Sequence, residues 1–156
     1  MNKLLVAWML FCCSTWFSAF GQDATTIRKK QYNLIKSLAI EGYDPVSYFT
    51  VQKAVKGNAT WASNYNGVIY YFSSQQNLNL FKANPSKYEP QFGGWCAYAM
   101  GNTGEKVEVD PETFKILNGK LYLFYNKLFT NTLKSWNKNE NKLLNQANAN
   151  WLKFTK

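Results

Sequence analysis

The chain holds three cysteines and no histidine, and those two facts narrow its chemistry before anything else does. Without imidazole there is no Ser-His-Asp or Cys-His nucleophile, no His-built zinc site and no haem on a proximal His. Thiols, carboxylates, hydroxyls and aromatic rings remain. Cys12 and Cys13 lie in an apolar run near the start; Cys96 stands alone in Gly93-Gly94-Trp95-Cys96-Ala97-Tyr98-Ala99-Met100. The paired glycines give the backbone room, and Trp95 to Met100 reads as a short helix ended by Gly101. A thiol in the first turn of that helix would meet unpaired N–H groups and the positive end of the dipole, which favour the thiolate.

Three roles for Cys96 follow. With Met100 at i, i+4 it would offer a thiolate and a thioether, a pair suited to Cu(I). As a redox thiol it would form a sulfenic acid or a mixed disulfide, and a thiol from elsewhere would have to complete the cycle. As a small hydrophobe it would be buried and inert, since free Cys is among the most buried residue types. Trp95 and Tyr98 would wall the site. Tyr43, Trp61 and Tyr71 are the further aromatic candidates for a ligand cleft, because such rings line small-ligand and sugar pockets as readily as they fill cores.

The carboxylates are less telling. Glu105, Glu108, Asp110 and Glu112 flank Pro111, but paired-acid hydrolysis needs two acids converging in a cleft, and no EF-hand spacing is present. They read as a solvated loop. The protein is therefore expected to bind rather than to catalyse, with a metal ion or small ligand as its partner.

Charge supplies a second expectation. Lys and Arg number 18 against 9 Asp and Glu in 156 residues, a formal net charge of +9. Such a surplus favours anionic partners. The lysines are scattered and no RNA-binding aromatic motif occurs, so contact with an anionic surface is expected and nucleic acid is not.

The elements that must position these residues begin after a leader. Lys3 is followed by an apolar run from Leu4 to Phe20, then Ala19-Phe20-Gly21 and polar residues. That order is the pattern of a signal peptide over residues 1–21, cut after Gly21. A transmembrane anchor is the rival, at the short limit for a span. Met9-Leu10-Phe11 is too bulky for a lipoprotein site at Cys12. The expected location is secreted or periplasmic, with no transmembrane anchor after cleavage and Cys96 the one remaining cysteine, hence no internal disulfide.

Residues 22–38 form a lead-in segment, with Leu34, Ile35 and Leu38 at helical spacing. Asp44-Pro45 reads as a helix start. Asn66-Gly67 and Asn118-Gly119 each sit between apolar alternating runs, the strongest short-range hairpin signal. Ser73 and Gln76 form a capping box for a helix to Ala83, stopped by Asn84-Pro85. Phe129, Leu133, Trp136, Leu143, Ala147 and Trp151 mark C-terminal helices, with an Asn-rich break at 137–141. The expected fold is a small single α+β domain: two antiparallel Asn-Gly hairpins, in one sheet, with helices packed on one face and a C-terminal helical segment.

Three blocks carry a family likeness. Gly42-Tyr43-Asp44-Pro45-Val46, Tyr65-Asn66-Gly67-Val68-Ile69-Tyr70-Tyr71-Phe72 and Phe81-Lys82-Ala83-Asn84-Pro85-Ser86-Lys87-Tyr88 resemble the YHS domain. The likeness covers residues 39–152, leaving 153–156 as a tail. The block around Cys96 resembles an exported bacterial branch with a single Cys. Many YHS domains resemble cysteine modules proposed to bind heavy metals, with one Cys after Asp-Pro-Val and a Cys-x-x-x-Cys after Tyr-Tyr-Phe. Here Ser47, Ser73 and Asn77 stand at those places. Hydroxyl and amide groups are poor ligands for soft metals, so the resemblance does not carry the metal site over.

Overall fold

The computed structural model describes residues 18–155, with side chains from Ala24 onward. Cys12, Cys13 and most of the expected leader lie outside the described residues. No helix among the described residues is long and apolar enough to cross a membrane.

The first helix, α1 (Ser18–Gln31), ends in Arg28, Lys29 and Lys30, cations at the end where the dipole favours them. Leu34, Ile35 and Leu38, expected to extend a helix, instead form a minimal hairpin of β1 (Leu34–Ile35) and β2 (Leu38–Ala39). Its turn places Lys36 and Ser37 at φ 50° and 73°. Two-residue strands are too short to show a period, and this turn lacks the Asn-Gly that would announce it. β2 gains its place by parallel pairing with β4 (Val68–Phe72), Leu38 opposite Ile69.

After α2 (Ser47–Thr50), the strands β3 (Asn58–Tyr65) and β4 pair antiparallel through Asn66-Gly67. Both turn residues have positive φ, 49° and 83°, as a type I′ turn requires. The sheet order is β1-β2-β4-β3. Val68, Tyr70 and Phe72 are buried while Ile69 and Tyr71 are half-exposed, the period-2 pattern of a strand covered on one face. The cover is α3 (Gln75–Ala83), with Leu78 and Phe81 inward. Ser74, one residue after the expected cap, accepts the Asn77 N–H. The Phe81 ring lies 4.8 Å from Tyr70 and 5.1 Å from Phe72 by centroid. α4 (Pro85–Tyr88) follows with Pro at its first turn.

A single-turn segment at Gln91–Gly94 leads to α5 (Ala97–Asn102). The second Asn-Gly hairpin is β5 (Asp110–Leu117) and β6 (Lys120–Phe124), with Asn118 and Gly119 at φ 51° and 71°. The two Asn-Gly hairpins do not share a sheet: β5–β6 stands as its own two-stranded sheet. The reason lies in β6, which is buried on both faces. Leu121 and Leu123 join Tyr70, Phe72 and Phe81 in one core. Tyr122 and Phe124 join Phe92, Trp136, Leu143 and Ala147 in a second. Strand alternation thus makes β6 the wall between two cores. The chain finishes with β7 (Asn126–Lys127), β8 (Thr130–Asn131), α6 (Thr132–Lys138) and α7 (Glu140–Trp151). Asn139, at φ −143°, makes the expected Asn-rich break. The architecture is α+β.

Candidate functional site

The three positions where the cysteine modules described above carry thiolates do converge, all on Asp44: Ser73 and Asn77 on its carboxylate, Ser47 on its backbone carbonyl. Asp44 is fully buried. Its Oδ1 accepts the Val46 N–H at 2.8 Å. Its Oδ2 accepts the Ser73 N–H at 2.8 Å, the Ser73 hydroxyl at 2.7 Å and the Asn77 amide at 2.7 Å. The Ser47 hydroxyl donates to the Asp44 carbonyl at 2.8 Å, and accepts the Val55 N–H at 3.3 Å. Asp44 is therefore no helix cap: α2 starts at Ser47, with Val46 in the flanking place. Its carboxylate instead staples α2, the end of β4 and the first turn of α3.

This donor set does not fit a cation. Ser73 and Asn77 aim hydrogens at Asp44 where a metal would need lone pairs. Among the described residues no group of three or more His, Cys, Asp or Glu could hold a metal ion.

Cys96 is fully buried. The helix begins at Ala97 rather than Trp95, so Cys96 sits at the N-cap with non-helical torsions, φ −57° and ψ 116°. The i, i+4 relation to Met100 presupposed helical backbone at Cys96. Without it, the sulfur packs in the first core and Met100 in the second. The Tyr125 N–H donates to Sγ at 3.4 Å, and Thr132 Oγ1 lies 3.4 Å from it. That hydroxyl already donates to the Tyr125 carbonyl at 2.9 Å. A hydroxyl has one hydrogen to give, so the thiol S–H points to Thr132 and the sulfur accepts from Tyr125. Native protein is expected to react with a thiol reagent at least ~100-fold more slowly than the urea-unfolded chain, because attack must await local opening. Native labelling as fast as unfolded labelling would overturn this placement.

The expected aromatic candidates are each held by different partners. Trp95 donates its indole N–H to the Gln31 carbonyl at 2.6 Å, tying the end of α1. Tyr98 packs between the two cores and lines a cleft on the other side of α5. Tyr43 donates to Glu112 at 3.0 Å, with the Lys56 ammonium 3.8 Å over its ring. Trp61 lies on β3, and Tyr71 sits across from Ala62 in the β3–β4 register.

A charged cluster escaped the sequence reading. Arg28 pairs with Glu89, 61 residues away, and donates to the Tyr32 hydroxyl at 2.7 Å. The Tyr70 hydroxyl donates to the same Glu89 oxygen at 2.5 Å. The guanidinium also stands 5.3 Å from the Tyr65 ring. Burial pushes the Glu89 carboxyl above its ordinary range, although the bonds from Tyr70 and Arg28 pull it down. Burial, with Glu89 beside it, raises Tyr32 to about 12. Burial also lifts Tyr70 well above the ordinary phenol value. Nothing local flags this pair, because an arginine in a basic helix end reads as solvated.

Comparison with known proteins bears on one part of the chain. No curated protein and no solved structure matches it. Residues 46–92 match the family model of the YHS domain. That stretch runs from α2 to Phe92, holding the first Asn-Gly hairpin, Ser47, Ser73, Asn77 and Glu89 but not Cys96. Over residues 46–92, which hold the first Asn-Gly hairpin but not Asp44, the chain is similar to the YHS domain.

Proposed function

We propose that the protein is an exported, non-catalytic docking domain that holds to an anionic lipid surface through the β7–β8 hairpin. One observation carries this reading. Leu128 and Phe129, at the hairpin tip, are 94% and 107% exposed. The hairpin is held by two residue pairs, Asn126 with Asn131 and Lys127 with Thr130. Leu128 takes a positive φ of 54°, a conformation that costs a non-glycine residue energy. The chain thus spends backbone strain where it displays apolar surface.

The size and charge of this tip select its partner. Two large side chains present on the order of 400 Å², well short of the roughly 800 Å² per partner of a stable protein interface. Insertion of a few apolar residues beside basic ones suits the lipid headgroup boundary, where each nearby lysine adds about 1 kcal/mol on anionic lipid. Lys127 lies in the hairpin, in an exposed pair with Glu108 at 3.4 Å that anionic lipid would compete for, and Lys134 and Lys138 follow on α6. Without residues 1–21 the chain keeps 17 Lys and Arg against 9 Asp and Glu, a net charge of +8 that adds a long-range attraction. Cys96 has a structural part here: its sulfur bonds Tyr125 and Thr132, the residues flanking the hairpin base. Export rests on the leader pattern of residues 1–21.

The test is co-sedimentation of the leaderless protein with neutral phosphatidylcholine vesicles and with vesicles containing phosphatidylglycerol. Binding is expected only to the anionic vesicles and should weaken with salt. Leu128→Ser/Phe129→Ser is expected to lower it about tenfold or more, from the lost apolar burial. Wild-type protein that ignores anionic vesicles, or a variant that binds equally, would overturn the reading. A Cu(I) adduct lost in Cys96→Ser, seen by native mass spectrometry, would favour a soft-metal site instead.

A further inference from the structure

We propose a binding site for a small acidic saccharide, a sugar acid or a sugar phosphate, in the cleft between α5, α6 and α7. The cleft has a volume of about 460 Å³, within the 300–1,000 Å³ of small-ligand pockets. It exists because of two local features. Asn139 breaks the C-terminal helix, so that α6 and α7 splay from one point. Gly101 lets α5 lie directly against α7: a Cβ there would stand 2.5 Å from the Leu143 carbonyl oxygen. The cleft lies apart from the hairpin tip and shares with the lipid-docking surface only Lys138.

Its lining combines three kinds of group. Lys138 and Lys142 bring two ammonium charges to the cleft. Among the described residues neither forms a salt bridge. Glu140, the carboxylate between them in sequence, is turned away onto Lys115 and the Trp136 indole. No carboxylate lines the cleft. Asn102, Ser135, Asn139 and Gln146 supply amide and hydroxyl groups. None of those four side chains hydrogen-bonds another described residue, and Asn102, Asn139 and Gln146 are exposed to solvent. Asn139 in particular does not cap α7 with its side chain. Tyr98 adds a half-buried ring.

These groups match one ligand chemistry. Paired ammonium groups take a carboxylate or phosphate. Neutral amides and hydroxyls, each both donor and acceptor, suit several sugar hydroxyls. An aromatic face suits the apolar side of a pyranose ring. A neutral sugar would leave the lysines unused, and a bare anion would leave the amides and the ring unused.

The experiment is amide-resolved NMR titration of the leaderless protein with glucuronic acid, glucose 6-phosphate, glucose and inorganic phosphate. One or both of the acidic sugars should shift the amides of 98–102 and 135–146, and which one does so identifies the acid group. Lys138→Ala/Lys142→Ala should weaken that binding at least tenfold while the remaining spectrum stays that of the folded protein. Tyr98→Leu should weaken it without abolishing the response to charge. No response to either acidic sugar overturns the proposal. So do equal affinity in the double lysine variant and equal affinity for phosphate alone.

Discussion

Asp44→Ala should be the most damaging single substitution in the protein, costing about 4 kcal/mol or more, since each buried donor left without a partner costs ~1–3 kcal/mol. Four donors lose their acceptor at once: the Val46 and Ser73 N–H groups, the Ser73 hydroxyl and the Asn77 amide. The staple they form joins α2, β4 and α3, so the loss should be felt as a global one. Small domains have total stabilities of only about 5–15 kcal/mol, which places the variant near its unfolding limit. Ser73→Ala removes one of these bonds, that of the hydroxyl, and keeps the backbone N–H bond, so it should cost about 1–2 kcal/mol. Urea denaturation at neutral pH measures both. A loss below 1 kcal/mol for Asp44→Ala would remove the hub from the account of this fold.

The second large effect is expected at Arg28. Its side chain is 20% exposed and that of Glu89 11%, so Arg28→Met leaves a carboxylate buried without its cation. That should cost about 3 kcal/mol, the low end for breaking a buried pair. The loss should depend on pH with a definite sign. Glu89 is already held above its ordinary value, burial outweighing Tyr70 and Arg28. A carboxyl raised in the folded state favours folding below its unfolded value and loses that contribution as pH rises through the folded one. Removing Arg28 takes away a downward pull, which raises Glu89 further. Arg28→Met should therefore be less destabilising at pH 5 than at pH 8. Arg28→Met/Glu89→Gln should recover much of the loss at pH 8. Equal losses at both pH values would show that the pair acts through packing alone. Arg28 belongs to α1, so the same experiment measures how firmly this helix clamps the β4 core and the segment carrying Glu89.

What could be read in the sequence was mostly local. Asn66-Gly67 and Asn118-Gly119 were legible to the residue because both need positive φ, and few residue pairs accept it. The break at Asn139 was legible for a similar reason: a run of Asn gives poor helix and good turn. The β1–β2 turn escaped because Lys36 and Ser37 adopt positive φ without announcing it. Ser47, Ser73 and Asn77 were visible as departures from a thiolate pattern, but Asp44 was read as a cap. Only folding brings positions 29 and 33 residues away onto its carboxylate.

The candidate site divides the same way. That Cys96 is the one cysteine after residue 13, flanked by Gly93-Gly94, is a property of the sequence. Which way its sulfur points is not. The helix starts one residue too late to pair it with Met100, and the hairpin base from Tyr125 to Thr132 closes over it. β6 makes the same point: its leucines alternate with Tyr122 and Phe124, and only packing on both sides makes it a wall between two cores. By itself the sequence determined turns, caps, charge and the stock of reactive groups, because torsional preference and hydrogen-bond chemistry act over a few residues. The tertiary structure alone decided burial, the Arg28–Glu89 pair and the cleft beside Tyr98, because removal from water depends on atoms that meet only when distant segments pack.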